Sequence, residues 1–438
     1  MNLPNRLLAA SLALPLALAA CGDEPADRFD GDEGSGSGAH QTVRSDLARD
    51  TTPDATAEEM AALARGNHEL TLDLYRAQTA DSSDNAMLST LSIRAAFAMV
   101  YMGARGETAT QMADVLRYDA DADRFATAFN ALDLALSSRN DAGDGDELDP
   151  VELHMANAFW GQTGYEWDPA YLDTLAVNFG AGIEAVDFDT DAELARTTIN
   201  TWVEDRTRDR IVDLLPEGSI DASTAAVLTN AIYFKAPWAT KFDENLTRAG
   251  DFTTLGGDTV EAQLMSAMEH HGYAEGDGWQ ALEMTFRQDE LSMVFILPDA
   301  GTFADFEASL DADQLAGIVD GLESGLVDVT IPKFEFETGF TLSQTLIAMG
   351  MDVPFSGAAD LSGMLPGGGL FIDEAYHKTF IAVDETGAEA AAATAVVVGE
   401  TSVPMPDAEF IADRPFVFGI RDRETDVWLF FGRVTDPS

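Results

Sequence analysis

The sequence has a single cysteine, Cys21, among 438 residues, so no intramolecular disulfide can stabilise the fold. Lysine is almost as scarce and occurs only at Lys235, Lys241, Lys333 and Lys378. With 25 basic and 77 acidic residues, the formal net charge is −52. This excess excludes a protein that neutralises nucleic-acid phosphates, and it argues equally against heparin-like polyanions as partners. It is typical of proteins in salty surroundings, where screening reduces self-repulsion.

Motifs for nucleophilic or metal-dependent catalysis are also missing. The sequence has no G-x-S-x-G elbow, no H-E-x-x-H pair and no G-x-x-x-x-G-K-[ST] phosphate loop. The adjacent His270 and His271 cannot share one helix face, and we expect a solvated loop pair. These absences argue against an enzyme and against any required metal or organic cofactor. A surface hydrolase on an unrelated scaffold remains an alternative, which the lack of a nucleophile motif disfavours.

The N-terminal region has the pattern of an export signal. Arg6 is followed by an apolar run from Leu7 to Ala20, which is too short to span a bilayer. The run ends Leu18-Ala19-Ala20-Cys21, which resembles the bacterial lipoprotein signal, in which the peptide that precedes the cysteine is removed and the cysteine carries lipid. The resemblance implies removal of residues 1–20 and anchoring through Cys21 at the cell envelope, on the outer membrane or cell surface. Ordinary cleavage, with release as a soluble secreted protein, is the alternative.

Residues 21–57 are predicted to form a flexible acidic linker, because the stretch from 30 to 38 is rich in Asp, Gly and Ser. From residue 58 to residue 438 the pattern is globular. Helical periodicity covers Glu58–Ala80, Ser92–Met102, Thr108–Leu116, residues 121–138, Ala192–Arg210 and Leu342–Met349. Strand-like runs cover Glu152–Trp160, Ala225–Phe234, Leu291–Leu297, Leu326–Ile331, Thr379–Val383, Phe416–Ile420 and Val427–Arg433. Helices come first and strands mostly later, which predicts an α+β fold with mixed or antiparallel sheets.

The most informative segment covers residues 384–398. From Gly387 to the valines at its end, every side chain except that of Glu389 is small. Alanine favours a helix, and a plain loop is also open, but neither explains the valines. If the segment is a latent strand, Glu389 lies on one face and only small side chains lie on the other. Those small residues are Ala388, Ala390, Ala392 and Thr394. Such a strand could enter the middle of a sheet without a clash or a buried charge.

This segment resembles the hinge and proximal reactive loop of the serpin family. Three further stretches strengthen the resemblance: Asn85–Ile93 is similar to the start of the family's second helix, Thr229–Trp238 to its central-strand motif, and Phe410–Ile420 to its C-terminal signature. They occur in the family's order and extend over nearly all of residues 58–438. The resemblance implies one serpin domain, with about eight to nine helices packed on three β-sheets and an exposed reactive loop.

The resemblance also assigns roles to residues at the matching positions. The hinge comprises Glu385, Gly387, Ala388, Glu389, Ala390, Ala391, Ala392, Ala393 and Thr394. The polar cluster beneath the opening of the central sheet, called the shutter, comprises Ser89, Ser92, Asn230 and His377. Trp238 marks the breach, where the inserting strand enters. Two positions depart from the usual pattern: Thr90 replaces a proline, and Ala388 replaces a threonine or serine, which leaves insertion feasible.

The family's spacing places the reactive bond fourteen residues beyond the hinge glycine, between Thr401 and Ser402. Gly387 and Pro415 are 28 residues apart, as in antithrombin-like loops. Glu400 and Met405 are neighbouring residues that a protease could use instead. A threonine suits the modest, uncharged pocket of elastase-like or subtilisin-like serine proteases and not a trypsin-like pocket.

The resemblance therefore implies a protease inhibitor and not an enzyme. Attack at Thr401 would leave an acyl-enzyme, and insertion of the cut loop would distort the protease before it could deacylate. The result would be a covalent, irreversible complex, formed by a monomeric inhibitor that needs no cofactor. The alternative is a non-inhibitory serpin that serves as a carrier, chaperone or structural module. Such members carry bulky, charged or proline residues in the hinge, and the inserting face of this hinge has none.

Overall fold

In the computed structural model, which describes residues 40–118, 121–143, 149–389 and 405–438, α-helices dominate the first half of the chain. The nine α-helices in these residues are α1 (Ala57–Thr79), α2 (Thr90–Gly103), α3 (Gly106–Leu116), α4 (Ala122–Ser137), α5 (Pro169–Phe179), α6 (Phe188–Arg206), α7 (Phe303–Ser309), α8 (Ala312–Asp320) and α9 (Leu342–Ala348). None of the helices in these ranges combines the length and the apolar character needed to cross a membrane.

Local signals at the helix ends explain where the first two helices begin. Thr56 caps α1 with a reciprocal capping box: its hydroxyl accepts from the Glu59 amide, and the Glu59 carboxylate accepts from the Thr56 amide. Ser89 caps α2 by accepting from the amide of Ser92. Every residue of α2 is buried, so this helix runs through the core of the body. Its first turn therefore brings two serines into the interior.

The strands form two hydrogen-bonded sheets in the described residues. In chain order they are β1 (Gln41–Val43), β2 (Ala86–Leu88), β3 (Glu152–Gln162), β4 (Ile183–Val186), β5 (Ala226–Pro237), β6 (Arg248–Thr253), β7 (Thr259–Gly276), β8 (Trp279–Thr285), β9 (Leu291–Pro298), β10 (Glu323–Pro332), β11 (Phe334–Thr341), β12 (Glu374–Val383), β13 (Gly387–Ala388), β14 (Ala408–Ile411), β15 (Phe416–Asp422) and β16 (Val427–Val434). The seven-stranded sheet has the order β1-β4-β3-β5-β13-β12-β11.

The central sheet is covered on both faces. One face packs against α6, where a smaller apolar cluster includes Phe188 and Ile199 of the helix and Val227 and Ala231 of β5. The opposite face joins the main core, to which β5 contributes its alternate residues, among them Leu228, Ile232 and Phe234. The period-two alternation of β5 therefore assigns each of its side chains to one of two environments.

The nine-stranded sheet has the order β14-β10-β7-β8-β9-β15-β16-β2, with β6 paired to β7. The family resemblance implies three sheets, whereas the backbone hydrogen bonds trace two. The reason is β7, a strand of 18 residues: β6 and β8 pair with its two ends, and β10 pairs along its middle. Because this strand is continuous, it joins what would otherwise be two separate sheets.

Part of the predicted linker lies against the body. β1 pairs with β4 and forms the edge of the seven-stranded sheet, and the Asp50 amide donates to the Val177 carbonyl at 2.9 Å. The Arg49 guanidinium donates to Asn130 at 2.8 Å and pairs with Asp133 at 2.6 Å, both on α4. Residues 40–57 are thus held by strand pairing and ion pairs, which composition alone does not reveal. Residues 21–39 of the predicted linker lie outside the part of the chain that the structure describes.

The main features of the predicted secondary structure are confirmed, with one clear error. Each predicted helix and strand overlaps an observed one, and α6 begins at Phe188, four residues before the predicted start. His270 and His271, expected in a loop, lie inside β7, where His270 is exposed and His271 half-buried. Polar residues at the surface of a sheet lack the clean alternation that identifies a strand. Three helices were not predicted: α5, α7 and α8.

Candidate functional site

The seam between β5 and β12, at the centre of the seven-stranded sheet, organises the candidate site. These strands run parallel and pair directly from Glu374↔Val227 to Thr379↔Ile232. Beyond this paired stretch, towards their carboxyl ends, β13 lies between them. The same two strands are therefore in contact at one end of the seam and separated at the other.

The predicted hinge occupies the separated end. Gly387 and Ala388 pair with Pro237 and Ala236 of β5, and Ala388 also pairs with Val383 of β12. The Ala388 side chain is only 1% exposed and belongs to the main core. A side chain at Gly387 would clash, because its Cβ would lie 2.1 Å from the Ala236 carbonyl oxygen. The hinge thus begins as a short inserted strand that requires a glycine followed by a small residue.

A tight turn connects β12 to the inserted residues. The Asp384 carboxylate accepts hydrogen bonds from the amides of Thr386 and Gly387, at 2.8 and 3.2 Å, and from the Thr386 hydroxyl. An aspartate that binds the backbone two residues ahead stabilises such a turn locally. The turn sets the direction in which the hinge enters the sheet.

Trp238 holds this turn from the neighbouring strand. Its indole N–H donates to the Asp384 carbonyl at 3.0 Å, and its backbone amide donates to the Thr386 carbonyl at 2.9 Å. The buried ring stacks on Phe286, with centroids 4.6 Å apart and planes at 6°. Trp238 therefore lies where the inserted strand begins, which is the place that the breach assignment implies.

Glu385 anchors the turn to the surrounding strands. Its carboxylate pairs with Lys333 at 2.7 Å and accepts from the Thr247 hydroxyl at 2.7 Å. Burial alone would raise the pKa of Glu385, but the bonds from Lys333 and Thr247 outweigh it and hold the pKa below its ordinary value. Glu385 therefore remains ionised while it is buried, and it ties the hinge to Lys333, between β10 and β11, and to Thr247, just before β6.

Glu389 lies on the opposite face from Ala388, as the period-two pattern predicts. Its carboxylate pairs with Arg210 and accepts from the Tyr233 hydroxyl at 3.4 Å. Burial raises the pKa of Glu389 above its ordinary value, although Arg210 opposes this. The backbone at Glu389 has a φ of 47°, a left-handed conformation that is uncommon for a residue with a side chain. The chain leaves the strand geometry at this residue.

The four predicted shutter residues lie together at the paired end of the seam. The Ser89 amide donates to Nε2 of His377 at 3.0 Å, so the proton of the neutral ring is on Nδ1, which donates to the Asn230 side-chain oxygen. The Asn230 amide group donates to the Ser92 hydroxyl at 2.6 Å. Burial lowers the pKa of His377 to about 3, which keeps the ring neutral.

Asn157 of β3 completes this cluster and was not among the predicted residues. Its side-chain oxygen accepts from Asn230 at 2.7 Å and from the Ser92 hydroxyl at 3.0 Å. It stands directly opposite Asn230 in the β3–β5 register. The available signal was an amide in the middle of a strand with buried neighbours, but its partner depends on strand register. The network spans α2, β3, β5 and β12, so it connects both strands of the seam to the neighbouring strand and to the helix beneath them.

Several predicted residues lie outside the described part of the chain. They are Ala390, Ala391, Ala392, Ala393, Thr394, Thr401, Ser402 and Cys21. Described residues resume at Met405, whose side chain is 89% exposed. The reactive bond and the lipid site therefore remain predictions from the sequence.

Comparisons with known proteins identify the family. A sequence model described as Serpin (serine protease inhibitor) matches residues 65–437. An uncharacterized serpin-like protein of Thermococcus kodakarensis is 38% identical over 374 residues, 85% of each chain. The leukocyte elastase inhibitor of Bos taurus is 34% identical over 388 residues, 86% of this chain and 100% of that protein. The structure of the thermophilic serpin tengpin in its native state is 25% identical, covers 91% of this chain and 100% of its own, and gives a TM-score of 0.79.

The fold and the comparisons together define the class of protein: the structure has mixed sheets with helices around them and a short strand inserted at the central seam. The chain belongs to the serpin family.

Proposed function

We propose that this serpin inhibits serine-type endopeptidases by irreversible trapping through insertion of its reactive loop. The observation that carries the proposal is the position of Gly387 and Ala388, which already lie between β5 and β12. A loop that starts inside the sheet needs no search for its insertion site. The small residues that follow in the sequence suit the same geometry.

The proposed sequence of events follows from the seam. The protease serine attacks the Thr401 carbonyl, the bond to Ser402 breaks with release of a new amino terminus, and an acyl-enzyme forms. The freed loop extends β13 towards the shutter, where the contact between His377 and Asn230 must open. Each backbone hydrogen bond gained with β5 or β12 contributes about 0.5–1.5 kcal/mol, so a strand of several residues supplies a substantial driving force. Displacement misaligns the oxyanion hole of the protease and stops deacylation.

The bait residue favours particular proteases. A threonine at position 401 suits elastase-like or subtilisin-like enzymes, and one similar protein is named an elastase inhibitor. We propose these classes as partners of the monomeric protein. Nucleic acids and heparin-like polyanions are not proposed as partners, because the net charge of −52 repels them.

Denaturing electrophoresis after incubation with an elastase, a subtilisin and trypsin tests the proposal. We expect detergent-stable complexes with the first two and a released fragment that begins at Ser402 by mass spectrometry. The matched control is the same protease with its catalytic serine replaced by alanine, which should form no covalent complex. Clean cleavage by every protease without any complex would support the alternative, a non-inhibitory carrier, chaperone or structural module.

We also propose that the protein is exported and anchored in the cell envelope through lipidated Cys21. The support is the apolar run that ends at Leu18-Ala19-Ala20-Cys21. In an expressing bacterium, metabolic labelling with a fatty acid should mark the wild-type protein in the membrane fraction. Cys21→Ser should remove the label. A soluble mature wild-type protein that begins at another residue would contradict the anchor.

A further inference from the structure

Two neighbouring strands, β10 and β14, carry acidic side chains on their solvent side, and β7 beside them contributes Met268 and His270 to the same surface. In the sheet register, Met268 of β7 stands opposite Asp328 of β10, and Asp328 stands opposite Glu409 of β14. Positions two residues along a strand face the same side. We call this surface the acidic face; its defining residues are Met268, His270, Asp328, Asp407, Glu409 and Ile411. The other side of the same strands, with Val327, Val329 and Phe410, is buried in the core.

The carboxylates of the acidic face have no cationic partner in the described residues. Lys333 and Arg414, the cations nearest in sequence, are paired with Glu385 and Asp413. Residues 390–404 contain no lysine or arginine either. Two like charges directly opposite each other on neighbouring strands destabilise a sheet. The pair of Asp328 and Glu409 therefore lowers stability in the isolated protein, and a cation from another molecule would remove this repulsion.

The acidic face is continuous with the loop that bears the reactive bond. β14 begins at Ala408, six residues after Ser402. Along this segment Met405, Asp407, Glu409 and Ile411 are exposed, while the intervening Phe410 is fully buried. Two acidic residues are thus flanked by two exposed apolar ones, a combination that suits contact with a protein surface. A protease seated on Thr401 and Ser402 would be adjacent to this stripe.

We infer that the acidic face is a secondary docking surface for the target protease, which carries a basic patch on the side of its cleft that faces β14. This inference rests on the proposed inhibitory function and narrows its partner to cationic proteases. Charge complementarity at the rim of an interface acts mainly on the association rate. Among proteases whose primary pocket accepts Thr401, the acidic face therefore determines which one associates fastest.

The test compares association rates for two elastases that cleave the same chromogenic substrate, one with a basic and one with an acidic isoelectric point. The variant is the double substitution Asp328→Asn and Glu409→Gln. The matched control is Glu166→Gln with Asp189→Asn, two exposed acids beyond the end of β3 that is remote from the hinge. Both variants change the net charge equally, so the difference between them isolates the acidic face.

We expect the acidic-face variant to associate with the basic elastase about tenfold more slowly at low ionic strength, and the control to lose less than about twofold. The difference should shrink in about 0.5 M salt, where screening is strong. Equal rates for the two variants with the basic elastase would overturn the inference while leaving inhibition intact. If the wild-type protein forms no complex with either elastase, the proposed function itself fails.

Discussion

The two ends of the β5–β12 seam differ in how the same two strands are held. At the hinge end, β13 separates them, and the groups that hold it are a tryptophan, a turn and an ion pair at the sheet edge. At the shutter end the strands touch, and a buried network of His377, Asn230, Ser92 and Asn157 joins them. The hinge end has already accepted part of a strand, whereas the shutter end must break buried hydrogen bonds to accept one. We call the hinge end the open end, because β13 already lies between the two strands there. We call the shutter end the locked end, because its hydrogen bonds must break before insertion can proceed.

The largest expected effect comes from blocking the insertion of the loop from the hinge end towards the shutter end. If the cut loop inserts with strand alternation, Ala390→Arg would place a long cation on the face that includes buried Ala388, and burying an unpaired charge costs several kcal/mol. The loop should still be cut, but insertion should slow and deacylation should win. We expect the partition ratio, moles of inhibitor consumed per mole of protease trapped, to rise at least about tenfold.

The matched control for this substitution is Glu389→Gln on the other face. It keeps the size of the side chain and removes only the ion pair with Arg210. Its partition ratio should stay within about twofold of wild type, because an ion pair with a half-exposed arginine contributes little. If Ala390→Arg traps protease as well as wild type, strand insertion is not the mechanism.

Replacing His377 tests how much the hydrogen bonds of the locked end contribute to stability. His377→Ala leaves the Ser89 amide and the Asn230 oxygen without partners in the core, which should lower the free energy of unfolding by about 2–4 kcal/mol. Chemical denaturation monitored by tryptophan fluorescence measures this change. The control Thr338→Val, at a buried hydroxyl that has no partner among the described residues, should be nearly neutral. If His377→Ala lowered the free energy of unfolding no more than Thr338→Val, the hydrogen bonds of His377 would not hold the two strands together.

Lowering the pH should reduce the contribution of His377 to the stability of the wild-type protein. The folded pKa of His377 is about 3 and its ordinary pKa is 6.5, so the unfolded state binds the extra proton between these values. The contribution of His377 is complete above pH 6.5 and falls as the pH drops towards 3, by at most about 1.4 kcal/mol per pH unit. Melting curves at pH 7 and pH 5 should therefore show a larger decrease for wild type than for His377→Gln. Parallel decreases would show that folding does not lower the pKa of His377.

The open end depends on close approach at Gly387. In Gly387→Ala the new Cβ would lie 2.1 Å from the Ala236 carbonyl oxygen, so β13 should leave its position. Hydrogen exchange of the Glu389 amide, which donates to the Ala382 carbonyl at 2.7 Å, should accelerate at least about tenfold. Gly357→Ala is the control, because nothing lies within 4 Å of its Cβ position. Unchanged protection in the Gly387 variant would mean that the hinge does not need this approach.

The smallest effect concerns the ion pair that anchors the open end. Lys333→Gln removes the partner of Glu385 and should lower stability by about 1 kcal/mol, since the lysine is partly exposed. The control Arg124→Gln removes a partly exposed ion pair with Glu59 at 2.7 Å, which joins α4 to α1 and not to the hinge turn. Only the first should also speed exchange at the Glu389 amide. Equal exchange rates at the Glu389 amide in both variants would show that Lys333 does not hold the hinge in place.

The sequence was sufficient for the residues whose roles depend on local pattern. Alternation predicted that Ala388 and Glu389 face opposite sides, and the structure places the first in the core and the second beside Arg210. The α+β class also followed from the order of the predicted helices and strands, although α5, α7, α8 and several strands were missed. Motif resemblance predicted that Ser89, Ser92, Asn230 and His377 form one cluster, and their hydrogen bonds agree with it.

Other features depend on pairings between distant segments, which no local pattern contains. Asn157 joins the shutter because the β3–β5 register sets it opposite Asn230. Residues 40–57 join the body because β1 pairs with β4, and two of the three expected sheets merge because β7 is continuous. The seating of Gly387 between β5 and β12 and the opposition of Asp328 and Glu409 arise in the same way. The sequence determined which side chains are small, apolar or charged; the tertiary structure decided which of them meet, because strand register is set by packing across the whole sheet.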